Sequence, residues 1–213
     1  MTSGKNRLIL AVLAAAGLVA GLNACVPLVV GGAAVGAALM VTDRRTSGAQ
    51  LEDEGIELRS ASRLRDSLGD RAHVNVTSYN RQVLLTGEVP TAQDKQTAEQ
   101  VVSRVENVRS IVNELGVQGH STLSQRSNDV LTSGKIKAAM VDAKDLQANS
   151  FKVVTERGTA YLMGRVTQRE ANRATEIARG TGGVQKVVRV FEILSEEELQ
   201  RIGTQPAASE IKK

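Results

Sequence analysis

Val83-Leu84-Leu85-Thr86-Gly87-Glu88-Val89 and Ala160-Tyr161-Leu162-Met163-Gly164-Arg165-Val166 are two versions of one strand, each closing on a glycine, a charged residue and a valine. The two glycines stand 77 positions apart, and the similarity spreads outward from them. Upstream, Val74-Asn75-Val76-Thr77 corresponds to Phe151-Lys152-Val153-Val154. Downstream, Pro90 is an extra residue in the first copy and the offset becomes 76, so that Thr91 matches Thr167, Ala98 matches Ala174 and Val112 matches Val188. A repeat of this length is one supersecondary unit present twice. The 213 residues therefore hold two small domains rather than one mid-sized one.

Each copy predicts the same order of elements. A period-2 apolar strand leads through a short turn to the glycine-bearing strand. A helix then opens at Thr91 with Asp94, or at Thr167 with Glu170, both spaced as capping boxes or near-relatives of one. A last β-rich strand follows, Val108 to Val117 and Val184 to Leu194, and a further helix precedes each first strand, over Glu54–Leu68 and about Asn128–Ala143. The order is αββαβ, and the fold class is α+β: two tandem modules, each a three-stranded mixed sheet covered by two helices, with a right-handed crossover. The strand glycines Gly87 and Gly164 read as structural, marking a bulge or a close approach of backbone. Ser195-Glu196-Glu197-Glu198 opens a short helix to about Ile202, and the tail beyond Pro206 is expected to be disordered.

The N-terminus carries an export signal: Lys5 and Arg7, then the uncharged run Leu8 to Leu22. It ends Leu22-Asn23-Ala24-Cys25, which resembles a bacterial lipobox, with Asn23 a departure from the usual small residue. On that reading residues 1–24 are a signal peptide, Cys25, the only cysteine, receives lipid, and residues 25–50 are spacer and linker. A retained transmembrane helix is the competing reading, since no charge occurs from Leu8 to Val41, but Pro27 and five glycines interrupt that span. Several acyl chains on Cys25 would anchor firmly where one would not. Val26 in place of an aspartate points, by family practice, to the outer membrane, with the modules facing the periplasm.

The strand-Leu-x-Gly-x-Val, helix, Gly-Val-x-x-Val pattern resembles the BON domain, and Gly183-Val184-Gln185-Lys186-Val187 matches its entry to the last strand. The first copy has Asn107 in place of that structural glycine, Gly183. The resemblance sets the modules at residues 51–119 and 128–194, with 120–127 a linker and 195–213 a short helix and tail. With the lipobox, the chain is similar to the dual-BON outer-membrane lipoproteins, the division- and outer-membrane-stress-associated lipid-binding protein family.

No catalytic constellation stands out. His73 and His120 have no cysteine, histidine or acidic partner at ligand spacing and read as surface histidines, so no metal, cofactor or enzyme activity is expected. The net charge of +4 lacks an arginine-rich arm, and no nucleic-acid partner is expected. Charge is divided unevenly: Glu52–Gly119 carries 8 basic and 11 acidic residues, a net of −3, and His120–Leu194 carries 12 and 7, a net of +5. The second module suits an anionic surface. In its first helix Ile136, Met140 and Ala143 space as a buried stripe, while Leu131, with Lys135 a turn beyond, points about 140° away from Ile136.

The resemblance implies that this helix is the phospholipid-contacting element, which makes Leu131, Lys135, Ile136, Lys137 and Met140 its candidate residues. Leucine stands at position 131 where the better-known relatives carry a tryptophan. The expected partner is an anionic, phosphatidylglycerol-like phospholipid, bound in support of envelope integrity. Three alternatives remain: Leu131 caps the contact between the modules; the acidic first module docks an envelope protein and the chain is an adaptor; or, as the resemblance also implies, the chain senses a small ion or solute.

Overall fold

A computed structural model describes residues 43–204. The signal segment, Cys25, the apolar spacer and the tail expected to be disordered lie outside the described residues. Helix α1 (Ser47–Leu68) leads through a 3₁₀ turn to strands β1 (His73–Tyr79) and β2 (Gln82–Val89), helix α2 (Ala92–Ser103), and strands β3 (Ser110–Asn113) and β4 (Gly116–Val117). The second module repeats the order as α3 (Leu123–Asp142), β5 (Phe151–Glu156), β6 (Thr159–Thr167), α4 (Gln168–Gly180) and β7 (Lys186–Leu194), and α5 (Glu196–Thr204) follows. The fold is α+β, two αββαβ modules in tandem, as the repeat predicts.

Each sheet is mixed. β2 pairs antiparallel with β1 and parallel with β3 and β4, and β6 pairs antiparallel with β5 and parallel with β7. The extra residue of the first copy is visible in the register: Val83 lies opposite Ile111, 28 positions on, whereas Ala160 lies opposite Val187, 27 on. The first sheet's last strand is interrupted where one continuous strand was expected. Asn113 turns its side-chain amide to the Lys95 carbonyl and accepts from the Leu115 N–H with its oxygen, and this local bonding competes with the ladder. Leu115 drops into the core, 2% exposed, and the strand resumes at Gly116 in unchanged register.

Both hairpins turn through two residues of positive φ, Asn80–Arg81 and Arg157–Gly158, the geometry whose twist matches paired strands. A buried aspartate on the module's first helix holds each turn. Asp53 accepts from the N–H groups of Asn80 and Arg81 and from the Ser78 hydroxyl, each at 2.7 Å, and Asp129 accepts from Arg157 and Gly158 N–H at 2.8 and 2.9 Å.

Both first helices begin earlier than expected. Thr46 caps α1 by accepting from the Ala49 N–H, and Thr122 with Gln125 forms a full capping box on α3. The segment 120–127, expected to be a linker, therefore contributes the first turn of α3. At the last helix, Ser195 and Glu198 cap each other reciprocally as their spacing predicts.

Alternation along the strands splits the apolar side chains between two layers. Val83, Leu85 and Val89 pack under α1 and α2 with Ile56, Leu64 and Val102, while Leu162, Val166 and Phe151 pack under α3 and α4 with Ile136 and Met140. The opposite faces of the two sheets meet each other: Tyr79 and Leu84 from the first module against Tyr161, Met163 and Val190 from the second. Polar links rim this contact. Glu192 accepts from Asn80 and Arg109, Lys152 donates to Glu57, and Arg157 donates to Glu88.

Candidate functional site

Helix α3 buries one face and leaves the other without a partner among the described residues. Its inward face is set by Asp129, Thr132, Ile136 and Met140. At 100° per residue, Leu123, Val130 and Val141 fall within about 20° of one another on the outward side, and Leu131 and Ala138 lie about 60–80° around from Leu123. All four large side chains are in water: Leu123 is 81% exposed, Val130 72%, Leu131 62% and Val141 64%. The strip spans about 27 Å of helix at 1.5 Å per residue. Lys135 is exposed at its edge, and the single acid between Thr122 and Val141, Asp129, is turned inward and bonded to the hairpin.

This outward strip belongs to the second module only. The buried positions Asp53, Ile56, Ser60 and Leu64 of α1 recur 76 residues later as Asp129, Thr132, Ile136 and Met140, which fixes the correspondence of the two helices. On that correspondence Leu123, Val130, Leu131 and Val141 replace Ser47, Glu54, Gly55 and Arg65. The outward leucines of α1, Leu51 and Leu58, are separated by Glu54 and Gly55.

The five residues expected from the sequence divide sharply. Leu131 and Lys135 stand on the exposed side. Ile136 and Met140 are fully buried under the sheet, so neither reaches a surface ligand. Lys137 is half-buried and donates to the carbonyls of Ala148 and Phe151 (2.7 Å to the latter); burial lowers its pKa, and its amine ties the helix to β5. The alternative that Leu131 caps the contact between the modules does not hold, because that contact is made by the sheets. Leu123, Val130 and Val141 are the additions, and their shared signal was spacing of 7 and 11 residues along one helical stripe.

The singled-out glycines sit at tight points of the backbone. A Cβ on Gly87, which has φ of +108°, would lie 2.0 Å from the His73 carbonyl oxygen, and one on Gly164 would lie 2.4 Å from that of Ser150. Gly183 has φ of +103° and Asn107, its counterpart, +66°. Asparagine is the side chain that tolerates this region best, which explains the exchange. His73 departs from its expected surface role: its Nδ1 lies 3.1 Å from the fully buried Glu88 carboxylate, its neighbour across the strand pair.

The repeated glycine-centred strands, the paired helices and the Gly183-type entry match one known family over most of the folded part. The BON domain matches residues 52–119 and 128–195. This chain belongs to the BON-domain family. Its two BON modules place it beside the outer membrane lipoprotein DolP of Haemophilus influenzae, to which it is 39% identical over 175 residues, 81% of this chain and 90% of that protein. It is 35% identical over 151 residues to the 21 kDa hemolysin of Actinobacillus pleuropneumoniae, 70% of this chain and 78% of that protein. It is 28% identical over 117 residues to the osmotically-inducible protein Y of Escherichia coli, 54% of this chain and 58% of that protein.

Proposed function

We propose that this BON protein is an outer-membrane lipoprotein, held by lipid on Cys25 and facing the periplasm, whose second module lays the outward face of α3 on anionic phospholipid and so supports envelope integrity. The observation that carries the reading is the strip Leu123, Val130, Leu131 and Val141, exposed along the helix and edged by Lys135, with Asp142 at the helix end the one exposed acid beside it. Apolar side chains enter the headgroup boundary, and a lysine beside them keeps its amine in the polar layer. Each such cation adds about 1 kcal/mol near an anionic leaflet. Similarity to DolP, whose name assigns it to the outer membrane as a lipoprotein, supports the location.

The test is flotation of the protein with phosphatidylglycerol and with phosphatidylcholine vesicles, comparing the parent with Val130→Glu/Leu131→Glu. Expected are recovery on the anionic vesicles that weakens with salt, its loss in the double variant, and unchanged thermal stability, since both side chains are exposed. Equal flotation of parent and variant would sink the reading. A mass measurement of the mature N-terminus tests the anchor separately: acylated Cys25 at position one supports it.

A further inference from the structure

A second cluster of polar side chains, unrelated to α3, lies where the two modules meet. His73 opens β1, Glu88 stands across from it on β2, and Glu156 closes β5 of the other module. One ligand atom from each, an imidazole nitrogen and two carboxylate oxygens, fall within 4.8 Å of one another. Glu88 is fully buried and Glu156 nearly so at 9% exposure, while the His73 side chain is 23% exposed and provides the opening to water.

Three observations point to a missing cation. The first is charge. Among the described residues one guanidinium bonds to this carboxylate pair, that of Arg157, whose Nε donates to Glu88 Oε1 at 2.7 Å and whose Nη2 is spent on the Gly119 carbonyl. Among the described residues Glu156 receives the neutral amide of Asn75, at 3.0 Å, and no cation. A buried charge without a counter-charge is expensive, and a cation removes that cost. The second is an orphan. Thr86 Oγ1 is buried with no hydrogen-bond partner among the described residues. Strand alternation puts it on the same face as Glu88, and Asn75, whose amide bonds Glu156, lies opposite it on β1. The third is the donor set: one imidazole and two carboxylates, leaving a position for water, is a set that suits a zinc-class ion.

We propose that His73, Glu88 and Glu156 form a divalent-cation site, zinc-class by donor chemistry, that joins the first module's hairpin to the second module's β5. Binding takes the ion onto His73 Nδ1, Glu88 Oε2 and the free side of Glu156, with the imidazole proton on Nε2. The present His73–Glu88 hydrogen bond gives way to two metal bonds. Arg157 stays on Glu88 Oε1 and Asn75 on Glu156 Oε2 as the outer partners that orient the ligands.

The experiment uses the protein without a histidine tag, stripped by chelator, titrated with Co²⁺ and Zn²⁺. Expected are one equivalent per chain, visible Co²⁺ absorption of a tetrahedral or five-coordinate site that Zn²⁺ displaces, and a rise in melting temperature. Glu156→Gln keeps shape and neutralises the carboxylate; it should remain folded by circular dichroism and weaken binding by at least about tenfold. His73→Ala should do the same. Absence of stoichiometric binding, or binding that survives both substitutions and so resides on the exposed surface, would overturn the site.

Discussion

Arg44 shows how much one residue can do outside any motif. Its guanidinium forms a two-pronged pair with Glu170, both bonds at 2.7 Å and both side chains about 5% exposed or less, and donates to the Arg165 carbonyl as well. Glu170 is also the residue whose carboxylate caps Thr167 at the start of α4, so the segment before α1 is fastened to a helix start in the other module. Arg44→Ala leaves that carboxylate buried and unpaired, and chemical denaturation should show a loss of about 3–5 kcal/mol at neutral pH. The pH dependence has a definite sign. Burial pushes the Glu170 carboxyl up, but the Arg44 hydrogen bonds and charge outweigh it and hold the group below its ordinary range. The pair therefore stabilises the fold above the ordinary glutamate range and loses that contribution as pH falls through the lowered native value, so the gap between parent and variant narrows in acid. No spacing rule connects positions 44 and 170.

At the scale of single elements, the parts legible in the sequence were those with local causes. The two glycine-bearing strands and the caps at Thr91, Thr167 and Ser195 declare themselves within a few positions. The starts of α1 and α3 did not, because their early turns carry no apolar period. The inward positions of α1 include Asp53 and Ser60, polar residues bonded or enclosed by the fold, and Leu51 faces water. Placing the start of α3 late also hid Leu123, one end of the outward strip. Gly134 lies on that strip with nothing within 4 Å of where its Cβ would be. Gly134→Ala should stabilise the protein by about 0.5–1 kcal/mol in urea denaturation, by restricting the unfolded chain, and leave flotation with anionic vesicles no weaker.

The whole molecule was the least legible, because what joins the modules comes from residues far apart in sequence. Glu88 and Arg157 are 69 positions apart, Asn80 and Glu192 are 112, and each reads in isolation as an ordinary surface side chain. The contacts of His73 are hidden for the same reason: its acidic neighbours arrive from across a strand pair and from another module. Both tyrosines of the chain lie in the sheet-to-sheet contact, and burial pushes both hydroxyls up to about 12. With no tryptophan present, tyrosine emission reports that contact while far-ultraviolet dichroism reports both modules. The two signals should lose their native values at one denaturant concentration; an earlier loss of the tyrosine signal would mean the modules part before they unfold. The raised native values also mean that stability is retained up to about pH 10, the ordinary phenol range, and declines as pH rises from there toward 12.

The contacts between the sheets are reciprocal. Asn75 on β1 reaches Glu156 at the end of β5, and Lys152, the counterpart of Asn75, reaches the Ser78 carbonyl near the end of β1. A self-complementary surface of that kind is what two identical subunits use to form a symmetric pair. A chain with a single copy of this module would have to find a twin to cover its sheet, and its folding would depend on concentration. Fusing the two copies makes the pairing intramolecular, and it lets each half differ from the other: one outward helix carries leucine and valine where the other carries glutamate and arginine, with no second subunit having to accommodate the difference.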